Sequence, residues 1–307
     1  MKKIFKFSLS ALSILCLSAC AEGENPLAYS KDTHGRGNIS IQIEESFKPL
    51  FDTSIYTFES QFPKATINPI YSSEGKIIEA FFQNKVKTIC ISRDFTKEEK
   101  AQLKKQQVEV RSDKVAQDAV TLIVNPANND TLMTMDKLKR ILTGKDTVWD
   151  GLKTKINVVF DQKNSANFNY LKNLVDKEDL PVNVFAVNSN VEVINYVKKN
   201  KSALGVIGLN WVSDQDDFDV LDFVDGIKVI SLAKTENGKY FKPYAGFIYT
   251  QEYPLYREIW MINKAKKSGL NTGFVLFMLG DKGQLIVQKS ALVPATAPVR
   301  LIQMTTE

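Results

Sequence analysis

The chain has 307 residues, with 40 Lys and Arg against 35 Asp and Glu, and a formal charge of +5. Three cysteines and one histidine leave too little material for a Cys/His zinc site, a His-based triad or a disulfide framework. The length allows two α/β lobes of ordinary size, and no apolar run after residue 20 is long enough to span a membrane.

The first elements are targeting signals. Met1–Lys6 is a basic segment, and Phe7–Leu17 is an apolar stretch too short for a transmembrane helix. It ends in Leu17-Ser-Ala-Cys20, which resembles the lipobox of bacterial lipoproteins. That resemblance implies cleavage before Cys20 and diacylation of Cys20 as the new N-terminus. Loss of residues 1–19 takes Lys2, Lys3 and Lys6 with it, lowering the formal charge to about +2, so the charge gives no support for a nucleic-acid partner. Residues 20–37 are polar and read as a flexible tether that includes the single histidine, His34. Cys16 leaves with the signal and Cys20 is lipidated. Cys90, inside the apolar run Thr88-Ile-Cys-Ile-Ser92, is expected in the core.

Asn38-Ile-Ser-Ile-Gln-Ile43 alternates with period two, which predicts a strand. The alternation breaks at Ser46, read as a helix N-cap, and Phe47, Leu50, Phe51, Ile55, Phe58 and Phe62 then recur at helical spacing. This strand-to-helix junction presents free backbone N–H groups, a generic anion site as well as a generic α/β connection. Ala65–Tyr71 is a second strand, placed at an edge by Pro69, and Ser72-Ser-Glu-Gly75 leads into a helix over 76–84. Thr88–Ser92 is a third strand, followed by a helix over 97–107 capped by Thr96. Three βα units in a row predict a parallel sheet wound by helices.

A longer apolar strand over 115–125 follows, then a helix over 134–142 capped by Thr134. The strand Ile156–Phe160 passes through Asp161-Gln-Lys-Asn164 into Ser165 and a helix over 168–175. The next elements are a strand over 182–187, a capping box at Ser189–Glu192 opening a helix to Asn200, and a buried strand over 203–209 whose glycines predict close backbone packing. Residues 213–220 read as an acidic loop, 227–232 as a strand, 236–239 as a turn and 253–262 as a long aromatic strand. Two amphipathic helices over 272–280 and 283–290 close the chain. The Lys-rich runs read as solvated helix faces or ends.

Several segments, in order, are similar to the phosphate-binding, type II periplasmic solute-binding proteins of ABC transporters. They are Asp118–Asn128, Met133–Gly144 with Trp149, Ala203–Gly208, Tyr253-Pro-Leu-Tyr-Arg257 and Phe277–Pro294 with Gly283-Gln-Leu-Ile-Val287. The resemblance implies an α/β, two-lobed fold with mixed or parallel sheets flanked by helices and a ligand cleft between the lobes. One lobe would be 38–117 plus 243–307, and the other 118–242. It implies capture of inorganic phosphate or a related small oxyanion, an ABC permease as receiver, no catalysis and no cofactor. The expected location is the periplasmic side of the cell envelope, lipid-anchored, with the outer membrane preferred, and the expected state is a monomer. The alternative is an envelope interaction lipoprotein that keeps the fold with another ligand or none.

Carried over position by position, the resemblance implies ligand contacts at Ser46 and Phe47, Ser73, Ser92, and Ser165, Ala166 and Asn167. Glu44 and Glu45 stand where the family keeps small neutral residues. Arg93 replaces the family's acid, and Asp161 its arginine. Three readings stay open. Arg93 supplies the missing cation from the other lobe while Glu44, Glu45 or Glu74 accepts a ligand proton; Arg93 pairs with Asp161 and the ligand is not phosphate; or the cleft binds nothing. Lys163 is a further candidate cation. Each serine is also explicable as a helix cap. The adjacent pair Glu44 and Glu45 does not by itself make a glycosidase-type site. The tyrosines 244, 249, 253 and 256 and Trp260 read as packing.

Overall fold

A computed structural model describes residues 32–176, 183–213, 224–265 and 267–297. The period-two run forms β1 (Arg36–Glu44), which pairs in parallel with β2 (Lys64–Ser72) on one side and β3 (Thr88–Ile91) on the other. β2 is the edge strand, where the missing N–H of Pro69 is tolerated. Helices α1 (Lys48–Gln61), α2 (Glu74–Phe82) and α3 (Lys97–Lys105) make the connections. A capping box between Thr96 and Glu99 starts α3.

β4 (Arg111–Val124) spans the sheet and is the element shared by its two halves. Its first half pairs antiparallel with β11 (Tyr256–Asn263), which in turn pairs antiparallel with β3. Its second half pairs antiparallel with β8 (Ala203–Gly208), which runs parallel to β6 (Asn157–Phe160), itself parallel to β7 (Val184–Ala186). The order is β2-β1-β3-β11-β4-β8-β6-β7, a mixed sheet. β5 (Leu132–Thr134) and β10 (Ser231–Ala233) form a separate parallel pair. The helix over Met135–Leu142 is α4, and β6 and β8 are followed by α5 (Ala166–Leu174) and α7 (Asn210–Ser213), with α6 (Asn190–Lys199) after β7.

The largely apolar run Ala119–Val124 in β4, Thr121 included, is buried on both faces, as expected of a central strand. Phe58 sits in an aromatic group with Phe62, Phe274 and Phe277, pinning α1 to the helix Leu270–Leu279. Cys90 is fully buried in the core. Gly205 and Gly208 do mark close packing: a Cβ on Gly205 would lie 2.7 Å from Ile123 and Val197, and one on Gly208 2.8 Å from the Ser46 Cβ.

Several boundaries differ from the sequence reading. The strand predicted over 253–262 begins at Tyr256, because Tyr253-Pro-Leu255 forms the turn that feeds it. The strand predicted over 227–232 is two short pieces, β9 (Lys228–Val229) and β10 (Ser231–Ala233), that pair with different partners. The helix Leu270–Leu279 is buried along most of its length rather than amphipathic. A short helix at Ala245–Tyr249 went unpredicted, and Tyr244 and Tyr249 are exposed rather than packed. β1 starts at Arg36, inside the segment read as tether, and the preceding residues are tied down: His34 Nε2 lies 2.6 Å from the Lys267 carbonyl and Asp32 accepts from the Leu270 N–H. The acidic loop over 213–220 lies, after Ser213, outside the described residues.

No helix among the described residues is long and apolar enough to cross a membrane.

Candidate functional site

The parallel strands point their C-terminal ends to one place, where the chain enters α2, α5 and α6. This is where open α/β sheets gather ligands. β1 ends in Glu44 and continues into a short 3-10 turn, Glu45–Phe47, before α1. β6 ends at Phe160, so Asp161 starts the loop to Ser165. β8 ends at Gly208, whose backbone lies against Ser46 and Arg257.

Arg257 is the cation at the centre. Cross-strand register sets it directly opposite Asp118 of β4. Its Nε and Nη2 donate to Asp118 Oδ2 at 2.8 and 2.6 Å, Nη1 donates to Asn167 Oδ1 at 2.8 Å, and Nη2 also reaches Ser46 Oγ at 3.1 Å. The guanidinium stacks over the Phe47 ring at 4.9 Å. Arg257 is 4% exposed. Burial works against its charge, but Asp118, Glu44 and Asp161 outweigh burial and hold its pKa above the ordinary value.

Around and beside it stand hydrogen-bond donors suited to an anion, and each of the following is taken by a carboxyl group of the chain itself. The Ser46 N–H donates to Glu44 Oε2 at 2.9 Å, and the Ser46 hydroxyl bonds the same oxygen. The Ala166 N–H, at the N-terminus of α5, donates to Glu44 Oε1 at 3.1 Å. The Asn190 N–H, at the N-terminus of α6, donates to Glu45 Oε2 at 3.2 Å, and the Asn190 side-chain amide bonds the same oxygen. The Ser92 N–H and hydroxyl donate to Glu74 Oε2 at 2.9 and 2.5 Å. These are the contacts that helix N-termini and serine hydroxyls offer to an oxyanion.

Asp161 completes the cluster. It accepts from the Ser165 hydroxyl at 2.5 Å, from the Asn167 amide at 3.1 Å and from the Asn190 amide at 3.3 Å. Glu44, Ser46, Asp118, Asp161, Asn167 and Asn190 are all 0% exposed. Three acids, Glu44, Asp118 and Asp161, thus share one buried arginine, and Glu45 stands beside Asp161. Burial, reinforced by Asp161, raises Glu44 to about 8 against the pull of Arg257, and raises Glu45 to about 7. Burial also raises Asp161 and Asp118, the latter against the opposing effect of Arg257.

The residues singled out by sequence fall into two groups. Ser46, Phe47, Ser165, Ala166 and Asn167 meet at this cluster. Ser46 is not a helix cap: Glu44 caps the 3-10 turn by accepting the Ser46 N–H, and the Ser46 hydroxyl is drawn to the cluster instead. Ser165 does cap α5, accepting from the Phe168 N–H. Ser189 likewise caps α6, but Glu192 returns to the Asn188 N–H rather than closing the box on Ser189. Ser73 is buried at the start of α2 without a side-chain cap bond.

Ser92 and Arg93 lie to one side, on the wall of a cavity of about 510 Å³ that also involves Glu74, Tyr170, Lys172 and Arg257. Arg93 does not pair with Asp161. It is 38% exposed and binds Glu99 with two hydrogen bonds of 2.7 and 2.9 Å, with Glu74 at 3.5 Å. Sequence reasoning missed Arg257, Asp118 and Asn190 as members of the cluster. Arg257 and Asp118 sat at the ends of two family-like segments, but only the β4–β11 register makes them partners. Among the described residues no group of three or more His, Cys, Asp or Glu is arranged to hold a metal.

With this geometry in hand, the chain is classed by comparison: residues 29–282 match the PBP superfamily domain, and the protein belongs to that superfamily. The fold is that of type II periplasmic binding proteins, mixed α/β with its sheet flanked by helices. Its relatives include the phosphate-binding protein PstS of Staphylococcus saprophyticus, 26% identical over 296 residues, covering 92% of this chain and 88% of the relative. PstS of Staphylococcus aureus strain USA300 is 27% identical over 287 residues, covering 88% and 81%. A phosphate ABC transporter substrate-binding protein of Clostridium perfringens, solved with bound phosphate, superposes with a TM-score of 0.72 at 21% identity, over 84% of this chain and 100% of that one. An ABC-type phosphate transport receptor of Vibrio cholerae gives 0.62 at 20% identity, over 83% and 99%.

Proposed function

We propose that this protein is an extracytoplasmic solute-binding protein of ABC-type uptake that captures inorganic phosphate or a related small oxyanion. The observation that carries this reading is that the Ser46 N–H and hydroxyl and the Ala166 N–H close around the fully buried Glu44 carboxyl group, with Arg257 bonded to the same Ser46 hydroxyl. A carboxylate and a phosphate ask for the same contacts, namely backbone N–H groups, hydroxyls and a guanidinium. The names of the relatives, all phosphate-binding or phosphate-transport proteins, support the same ligand class. No reaction is part of this function.

In this reading the two halves of the sheet are the two lobes, 38–117 with 243–307 and 118–242, joined through β4 and the turn before β11. Ligand is held where they meet and delivered to an ABC permease. The sequence around Cys20 supports a lipid anchor, and we place it on the periplasmic side of the cell envelope, with the outer membrane preferred. Mass spectrometry of the purified N-terminus tests the anchor, and an unmodified Cys20 in native membranes would remove it from the account.

Thermal unfolding with phosphate, arsenate, sulfate and molybdate tests the ligand. A ligand at 100 times its dissociation constant stabilises by about 2.7 kcal/mol. A shift with phosphate or arsenate is expected, and no shift with any of the four contradicts the reading. One observation favours a second reading: the donors of Ser46, Ala166, Asn190 and Ser92 are already taken by internal carboxyl groups. An envelope interaction protein that keeps the fold without a solute accounts for that, and it predicts the same flat panel together with co-purification of a stable protein partner from the native host.

A further inference from the structure

Three sets of donors that could grip an oxyanion, two in the cluster and one beside it, are each met by a glutamate of the chain. Glu44, at the end of β1, crosses to the N-terminus of α5, which follows β6. Glu45 crosses to the N-terminus of α6, which follows β7. Glu74, at the start of α2, takes both donors of Ser92 after β3. The first two cross between the half of the sheet built on β1–β3 and the half built on β6–β8. Glu44 is the one whose two oxygens are split between the halves: Oε2 is held by Ser46 and Oε1 by Ala166, at full burial.

We infer that the Glu44 side chain is an internal ligand: its carboxyl group fills the oxyanion seat, draws the two halves together without solute, and must be displaced before any solute binds. The inference rests on the oxyanion reading only for the identity of the seat. A carboxyl group supplies two oxygens where a phosphate supplies four, so a tetrahedral solute that ejects Glu44 gains contacts that the side chain leaves unused. Glu44 is therefore a specificity-determining residue. It competes at a very high effective concentration because it is covalently tethered at the site, and it raises the threshold concentration at which the cleft takes up solute. Glu45 makes the same contact to α6 as a second strut. Gly208 belongs to the same device, since its missing side chain lets β8 approach Ser46 closely enough for the halves to meet around Glu44.

The test uses the full-length chain, as wild type, Glu44→Ala and the near-isosteric Glu44→Gln. Small-angle scattering reports compactness without solute, and calorimetric titration with inorganic phosphate reports affinity. Solute-free wild type is expected to be compact, with Glu44→Ala larger in radius of gyration and compacted again by phosphate. Glu44→Ala is expected to bind phosphate at least tenfold more tightly than wild type, with Glu44→Gln between the two. Glu44→Gln keeps the volume of the side chain and one of its two acceptor oxygens, so it remains informative if the alanine variant fails to fold. Equal compactness of solute-free wild type and Glu44→Ala overturns the inference, as does phosphate binding that is unchanged or weakened by the substitution. If neither form binds phosphate, yet Glu44→Ala still expands, the internal ligand stands and only the choice of solute fails.

Discussion

Stability should fall as pH rises from 5 to 8, and Glu44 should be the main cause. Its carboxyl group has an ordinary pKa of 4.5 that the folded structure raises to about 8. Burial is the largest cause, Asp161 adds to it, and Arg257, Ser46 and Ala166 oppose it. A group that binds its proton more tightly when folded stabilises fully below the unfolded pKa and loses that contribution as pH passes through the folded pKa. The window is therefore about pH 4.5 to 8. Each pH unit across which folded and unfolded forms differ by one proton is worth about 1.4 kcal/mol. Glu44, titrating together with the Asp161 beside it, then accounts for several kcal/mol across the window, a large share of a typical net stability of about 5–15 kcal/mol. Glu45, raised from 4.5 to about 7, acts in the same direction.

The other groups facing Glu44 do not reverse the sign. Asp161 is itself raised by burial, Arg257 stays charged, and the buried Cys90 thiol is pushed well above the window by burial with help from Glu44 and Glu74. Urea or thermal unfolding at pH 5, 6, 7 and 8 measures the effect. Wild type should lose at least about 2 kcal/mol over that range, or several degrees in Tm. Glu44→Gln, which carries no titrating proton, should show a clearly shallower decline. Stability that is flat or rising from pH 5 to 8, or a slope unchanged in Glu44→Gln, would refute the reasoning.

Other substitutions separate the buried cluster from its surroundings. Arg257→Met should destabilise by about 3–5 kcal/mol in urea unfolding, because it strands Asp118 and its neighbours without a cation. A loss under about 1 kcal/mol would mean that the acids simply take up protons. Arg93→Ala should cost no more than about 1 kcal/mol, since its partner Glu99 is at a half-exposed surface pair. Gly208→Ala should cost about 1–3 kcal/mol, as the new Cβ would sit 2.8 Å from that of Ser46, and wild-type stability in that variant would show that the halves are not tightly apposed. Phe58→Ala should cost about 3–5 kcal/mol by emptying the aromatic group between α1 and the helix Leu270–Leu279.

Much of the fold was legible because its signals are local. The alternation of Ile39, Ile41 and Ile43 marks a strand, and Thr96, Thr134, Ser165 and Ser189 mark helix starts by the hydrogen bonds their side chains accept. The glycines of β8 marked close packing for the same local reason. The cluster was legible only in part. Ser46, Phe47, Ser165, Ala166 and Asn167 were put forward together by the resemblance to the phosphate-binding family, at junctions that the order of strands sets at one end of the sheet. The partner of each acid could not be read, because it depends on register across the sheet. Arg257 meets Asp118 through the pairing of β11 with β4, and Glu44 meets Ala166 across 122 positions of sequence. Arg93, the cation that alignment by motif put forward, turned to Glu99 because a helix cap six positions on offered two oxygens at once.

The most direct measurement of the account is a crystal structure of the wild-type protein grown at saturating phosphate. The account predicts one phosphate held by the Ser46 and Ala166 N–H groups and by Arg257, with the Glu44 side chain turned out of the seat. Glu44 still bound to Ser46 and Ala166, with phosphate absent or attached elsewhere, would contradict it.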